Sequence, residues 1–177
     1  SMTKPAHINE KARSTVIVES GASILGTANA VAGDDTDGLT VTNSGTIRAN
    51  NSKAINLLDA VNGTVTNNSG GTIRAKTNTI SVSKSGTTPD NINITNSGTI
   101  YSTNASTNTI LLHSNSTNST VTNNAGGHIY NESTAATITI GKTTTLTNSG
   151  KIENKKIDKV AITVDGEEST VVLKNGG

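Results

Sequence analysis

The sequence predicts an all-β fold, a right-handed parallel β-helix (solenoid) of about seven rungs with three short strands per rung. Three observations carry that expectation. One phrase returns five times, as VTNSGTI at Val41–Ile47, VTNNSGGTI at Val65–Ile73, ITNSGTI at Ile94–Ile100, VTNNAGGHI at Val121–Ile129 and LTNSGKI at Leu146–Ile152. Its first residues lie 24, 29, 27 and 25 positions apart, the period of a stacked repeat. Units of that length leave no room for a strand, a crossover helix and a second strand, and their apolar residues alternate with period two rather than at helical spacing.

Along the chain, Ser1–Met2 read as a cloning scar and residues 1–15 as an edge or cap, with Pro5–Arg13 forming a polar helical turn over the first rung. Residues 16–177 form the repeat region, opened by the looser copy VESGASI at Val18–Ile24 and cut in mid-phrase at LKNGG, Leu173–Gly177. The chain therefore reads as an excerpt from a longer array. In the first strand of each unit, Val41, Val65, Ile94, Val121 and Leu146 point inward and the following threonines outward. Asn-Ser-Gly or Asn-Asn-Ser-Gly-Gly then supplies turn chemistry, and a second strand begins around Ile47, Ile73, Ile100, Ile129 and Ile152. A third strand follows at Ile55, Ile80, Ile110, Ile138 and Ile162, again with period two. Parallel stacking at about 4.8 Å sets like residues on like and makes the interior a set of aliphatic columns. Asn43, Asn67, Asn96, Asn123 and Asn148 also fall in register. That pattern fits either a ladder of side-chain amides or the preference of Asn for the turn itself.

Composition narrows the classes. There is no Cys, Phe or Trp and there are two Tyr, which excludes a disulfide scaffold and an aromatic core. A net charge of +1, with both signs scattered, supplies no phosphate-neutralising stripe, so nucleic acid is not an expected partner. No apolar run approaches the roughly 20 residues of a membrane span.

A coil closed by TNSGTI phrases, rich in Thr, Asn and Gly and free of Cys, resembles the passenger domains of Gram-negative autotransporters over roughly Val16 to Gly177. The resemblance implies a secreted, surface-exposed rod held at the outer membrane by a C-terminal β-barrel outside this excerpt. It implies non-enzymatic adhesion or cell–cell self-association, with a host or bacterial surface protein or glycan as partner and no cofactor.

Two outward surfaces stand out as candidate sites. Directly after each inward Ile of the second strand come Arg48, Arg74, Tyr101, Tyr130 and Glu153, a vertical strip with His128 beside it. Exposed Tyr and Arg are enriched at binding hot spots, and paired Tyr rings suit a sugar face; ordinary cross-rung stacking reads the same way. The first strand presents Thr40, Thr42, Thr64, Thr66, Thr95, Thr120, Thr122, Thr145 and Thr147. Such columns resemble the ice-binding faces of β-helical antifreeze proteins, which keeps ice binding as an alternative. A polysaccharide-binding or polysaccharide-cleaving β-helix is the other. Cleavage requires acids clustered on one face, yet Asp59, Asp90, Asp158 and Asp165 share no register. Asp34, Asp35 and Asp37 in GDDTDG lack the spacing of a calcium loop, and His7, His113 and His128 do not align as metal ligands. The longest variable loops, Ser83–Asn91 and His113–Ser119, are expected at one edge of the rod.

Overall fold

The computed structural model describes residues 6–8, 13–104 and 106–175. Among them the backbone winds as a parallel β-solenoid of about six turns with three strands per turn and no helix, close to the seven rungs expected. One turn reads Thr64–Asn67, Thr72–Ala75, Ile80–Ser83. Stacking the turns gives a first sheet of seven strands from Thr15–Val18 to Thr170–Leu173 and a second of six from Ser23–Gly26 to Lys151–Asn154. A third, of seven strands, runs from Ala6–Ile8 to Ile162–Val164. The polar helical turn expected over Pro5–Arg13 is not what Ala6–Ile8 adopts: this segment pairs in parallel with Val31–Gly33 and begins the third sheet. An open parallel edge offers it ladder hydrogen bonds that an isolated turn of helix lacks. Pro5 and residues 9–12 lie outside the described residues.

Register is residue on residue. Val41, Val65, Ile94, Val121 and Leu146 form one inward column. Ile47, Ile73, Ile100, Ile129 and Ile152 form another, and Ile55, Ile80, Ile110, Ile138 and Ile162 a third. All are buried except Ile152 and Ile162, which are partly covered at the last turn. β-branched side chains have one strongly preferred χ1 and so stack without loss of many rotamers. Alternation is clean in the first two sheets, whereas in the third Asn56, Ser81 and Thr139 are buried as well. Asn56 is enclosed by Lys53 Nζ, which donates to its Oδ1, and by Asp34, which accepts from its Nδ2.

The corner between the first and second sheets alternates strictly in length. Residues 19–22, 68–71 and 124–127 make long corners; residues 44–45, 97–98 and 149–150 make short ones. In the long corner Gly70 sits at φ +80° with open space where a Cβ would be. In the short corner a Cβ on Gly98 would collide with the backbone carbonyl oxygens of Gly71 and Asn68. Each short corner thus lies flat on the long one before it, which only glycine permits.

Beneath these corners runs the amide ladder. Asn43 Nδ2 donates to Asn67 Oδ1, Asn67 to Asn96, Asn96 to Asn123 and Asn123 to Asn148, each at 2.8 Å. The first four are fully buried and Asn148 is half-buried. The same nitrogens also donate to corner carbonyls, Asn67 to Gly71 at 3.1 Å and Asn96 to Gly98 at 3.1 Å. Of the two readings open in the sequence, the ladder is the one adopted. Register hands the column to Val18 at one end and Leu173 at the other.

Asn96→Ala takes the ladder partner from one N–H of the Asn67 amide and from the Asn123 Oδ1 in a dry interior and is expected to cost about 2–4 kcal/mol. Asn148→Ala, at the wetter end, is expected to cost about 1 kcal/mol or less. Urea melts followed by circular dichroism compare the two; equal losses would mean that the column carries no special weight.

Candidate functional site

The outward residue after each inward Ile of the second sheet gives the strip Leu25, Arg48, Arg74, Tyr101, Tyr130, Glu153, all half-buried and in register on successive turns. Sequence reasoning placed the last five together, and the structure does the same. It missed what holds their backbone. Thr79, Thr109 and Thr137 are fully buried just before the third sheet, and their hydroxyls donate to the carbonyl oxygens of Tyr101, Tyr130 and Glu153 at 2.7, 2.7 and 2.8 Å. The equivalent positions facing the arginine turns are Ala30 and Ala54, which have no hydroxyl. The strip therefore has a clamped upper half and an unclamped lower half.

In the upper half the rings and the charged groups engage one another. The Tyr101 and Tyr130 rings stack with centroids 4.9 Å apart and planes 3° from parallel. Lys155 Nζ stands 3.6 Å from the Tyr130 ring centre, a cation–π contact, and the His128 ring tilts against Tyr130 at 4.6 Å. The tyrosines thus use ring faces on each other and on Lys155, as cross-rung stacking implies, and present edges to solvent. Burial raises the Tyr130 phenol above its ordinary range, with Tyr101, Glu132 and Glu153 adding to the rise and Arg74 opposing it. Glu153 joins His128 to Lys151: His128 Nε2 donates to Oε1 at 2.8 Å and Lys151 Nζ to Oε2 at 2.7 Å. The hydrogen bond from Lys151 is the main reason that the Glu153 carboxyl lies below its ordinary range; the bond from His128 and both positive charges add to it, and desolvation opposes it. Lys151 and Lys155, which lie outside the strip that the sequence singles out, belong to this cluster.

In the lower half, Arg48 and Arg74 face solvent on adjacent strands, and among the described residues neither guanidinium has a hydrogen-bond or ion-pair partner.

The threonine face is also realised. Thr42, Thr66, Thr95, Thr122 and Thr147 form one unbroken column; Thr40, Thr64, Thr120 and Thr145 form a second, interrupted by Asn93. Thr120 Oγ1 donates to Asn93 Oδ1 at 2.7 Å, so this hydroxyl is tied within the sheet.

The acids serve the corners. Asp59, nearly buried, accepts from the backbone N–H of Ser85 at 2.6 Å and of Gly86 at 2.9 Å, which ties the long Ser83–Asn91 loop down. Asp37 accepts from Asn62 and Asp90 from Asn118 in an outer polar ladder that continues through Asn91, with Thr117 Oγ1 2.6 Å from Asp90. Asp35, Asp59, Asn62, Asn91 and Asn118 adopt φ between 50° and 55°, which Asp and Asn tolerate better than other side chains. Among the described residues no group of three His, Asp or Glu has metal-holding geometry. His7 lies in a strand whose side chains are outside the described set, and His113 Nδ1 accepts from the Asn115 N–H in its own loop.

The fold defines the class, a parallel β-solenoid with a polar exterior. No protein-family model, curated protein or solved structure matches the chain.

A carboxyl held low in the folded state contributes stability that is complete at neutral pH and is lost as pH falls through its folded value. The melting temperature is therefore expected to fall further between about pH 6 and about pH 3 in the unmodified chain than in Glu153→Gln, by about 1–3 °C. Scanning calorimetry of both proteins checks this; equal falls would show that the bridge contributes nothing.

Proposed function

We propose that this solenoid is a non-enzymatic binding rod of the bacterial cell surface, of the autotransporter passenger type, acting in adhesion or in association between cells. The observation that carries the reading is the unbroken Thr42–Thr147 column, which offers one chemical contact again on every turn. Contacts about 4.8 Å apart along a stiff rod, each weak, sum when a partner surface is itself repetitive, and many rods on one surface multiply the sum. A surface protein, a glycan coat or a second rod meets that description. The engagement of Asp37, Asp59 and Asp90 as acceptors for neighbouring turns supports binding over polysaccharide cleavage, since a cleaving pair must be free to exchange protons. The tie between Thr120 and Asn93 gives less support to ice binding, because that hydroxyl is not free to order water.

Microspheres carrying the chain at high and low density test the proposal. Dense beads are expected to cluster or to bind bacterial or mammalian cells at least about tenfold better than sparse beads. The triple variant Thr66→Lys, Thr95→Lys, Thr122→Lys is expected to abolish this while keeping the far-ultraviolet dichroism of the fold. Beads inert to cells and to each other at every density would overturn the reading. Adhesion untouched by the triple substitution would remove the threonine face as its carrier.

A further inference from the structure

We infer that Arg48 and Arg74 form a binding site for an acidic polysaccharide, a chain of sugars bearing carboxylates or sulfates, seated in the groove beside the second sheet. The inference rests on the surface-rod reading and names one ligand class for it.

The groove encloses about 440 Å³. Its shape follows from the alternating corners. The long corners carrying Gly21 and Gly70 stand out, while the short corner Ser44–Gly45 between them is pressed back against the Glu19 and Ala22 carbonyls, leaving a notch one turn wide. The lining contains Arg48 and Arg74 with the hydroxyls of Ser20, Ser23, Ser44 and Thr46, and, among the described residues, no carboxylate.

Two guanidinium groups directly opposite on neighbouring strands about 4.8 Å apart repel each other, a destabilising pairing for a parallel ladder. Elsewhere on this strip the chain supplies the opposite charge: Glu153 lies between Lys151 and His128, and Lys155 approaches both Tyr130 and Glu132. At Arg48 and Arg74 it supplies none among the described residues. An anion bound from solution completes the arrangement, because each guanidinium presents a planar fork suited to a carboxylate or sulfate.

The rest of the groove selects sugar over other polyanions. Serine and threonine hydroxyls donate to and accept from sugar hydroxyls. Leu25, next in the same column, offers an apolar patch to the C–H face of a ring. A nucleic acid strand needs more neutralised phosphates than two and open aromatic faces on which to stack its bases. Here the only two tyrosines stack on each other.

Fluorescence polarisation with labelled heparin-type and oligogalacturonate oligosaccharides tests the site, with neutral dextran and an oligodeoxynucleotide of equal charge alongside. The acidic sugars are expected to bind and dextran not to; preference between the two acidic probes tells sulfate from carboxylate. Arg48→Gln and Arg74→Gln should each weaken binding by about tenfold or more, and Lys84→Gln, on a distant loop, by less than about twofold. Melting temperatures of the arginine variants should hold or rise, since repulsion is relieved. On the unmodified chain the salt dependence should be shallow, that of about two neutralised charges. Equal binding of dextran, tighter binding of the oligonucleotide, a steep salt dependence or indifference to both arginine substitutions would overturn the assignment. If the acidic sugars fail to bind while dense beads still adhere to cells, the site falls and the surface-rod reading stands; sugar binding without bead adhesion sinks that reading and leaves the site in place.

Discussion

Every turn of this coil lies on a near copy of itself, so any side chain directed inward must be compatible with its own kind above and below. Aliphatic groups meet that condition by packing, and β-branched Ile and Val meet it with the least loss of rotamer freedom. A polar group meets it only if it is donor and acceptor at once. The carboxamide is, and this is why the one fully buried polar column of the first corner is Asn at 43, 67, 96 and 123, with each amide nitrogen bonded to the next oxygen. Aspartate in the same column would set acceptor against acceptor. Threonine solves a related problem at the second corner, where Thr79, Thr109 and Thr137 donate to backbone carbonyls of the following turn. The low aromatic content follows from the same constraint, since a column of large rings has no place in a coil this narrow.

Most of the architecture was legible because the columns are periodic in the sequence itself. The inward Val, Ile and Leu sets, the three strands and the register of the outward strip follow from spacing alone. What stayed hidden depends on contacts between residues whose separation varies from turn to turn. Asp59 reaches Ser85 and Gly86 across a loop of irregular length, and nothing in its neighbours marks it as a clamp. The bridge from His128 through Glu153 to Lys151 joins two columns rather than one, so reading each column separately leaves it as scattered charge. The threonine clamp did leave a trace, Thr before Ile in three successive units, which reads as ordinary alternation until the carbonyl partners are seen. At the chain start, propensity suggested a helical turn over a segment of which Ala6–Ile8 is a strand, because an unpaired sheet edge outweighs local preference.

The outward strip shows how one register position can serve two ends. Toward the last turns it is self-satisfied: stacked rings, a cation over one ring and a doubly bonded carboxylate stabilise the rod and leave little unsatisfied for a partner. Toward the first turns the same column carries two like charges beside a hydroxyl-lined notch. The division coincides with the change from Ala30 and Ala54 to Thr79, Thr109 and Thr137 behind the strip, so hydroxyl-to-carbonyl bonds and charge compensation appear together along the rod. The corner alternation that makes the notch is a property of backbone length, so notch and column are set independently.

Side-chain amide exchange measured by NMR tests the dry, continuous asparagine column most directly. The Nδ2 protons of Asn67, Asn96 and Asn123 should exchange on the order of a hundredfold more slowly than those of the exposed Asn50 and Asn51. Exchange of the column amides at the rate of the exposed pair would mean that water reaches them, and that the turns are not joined as described.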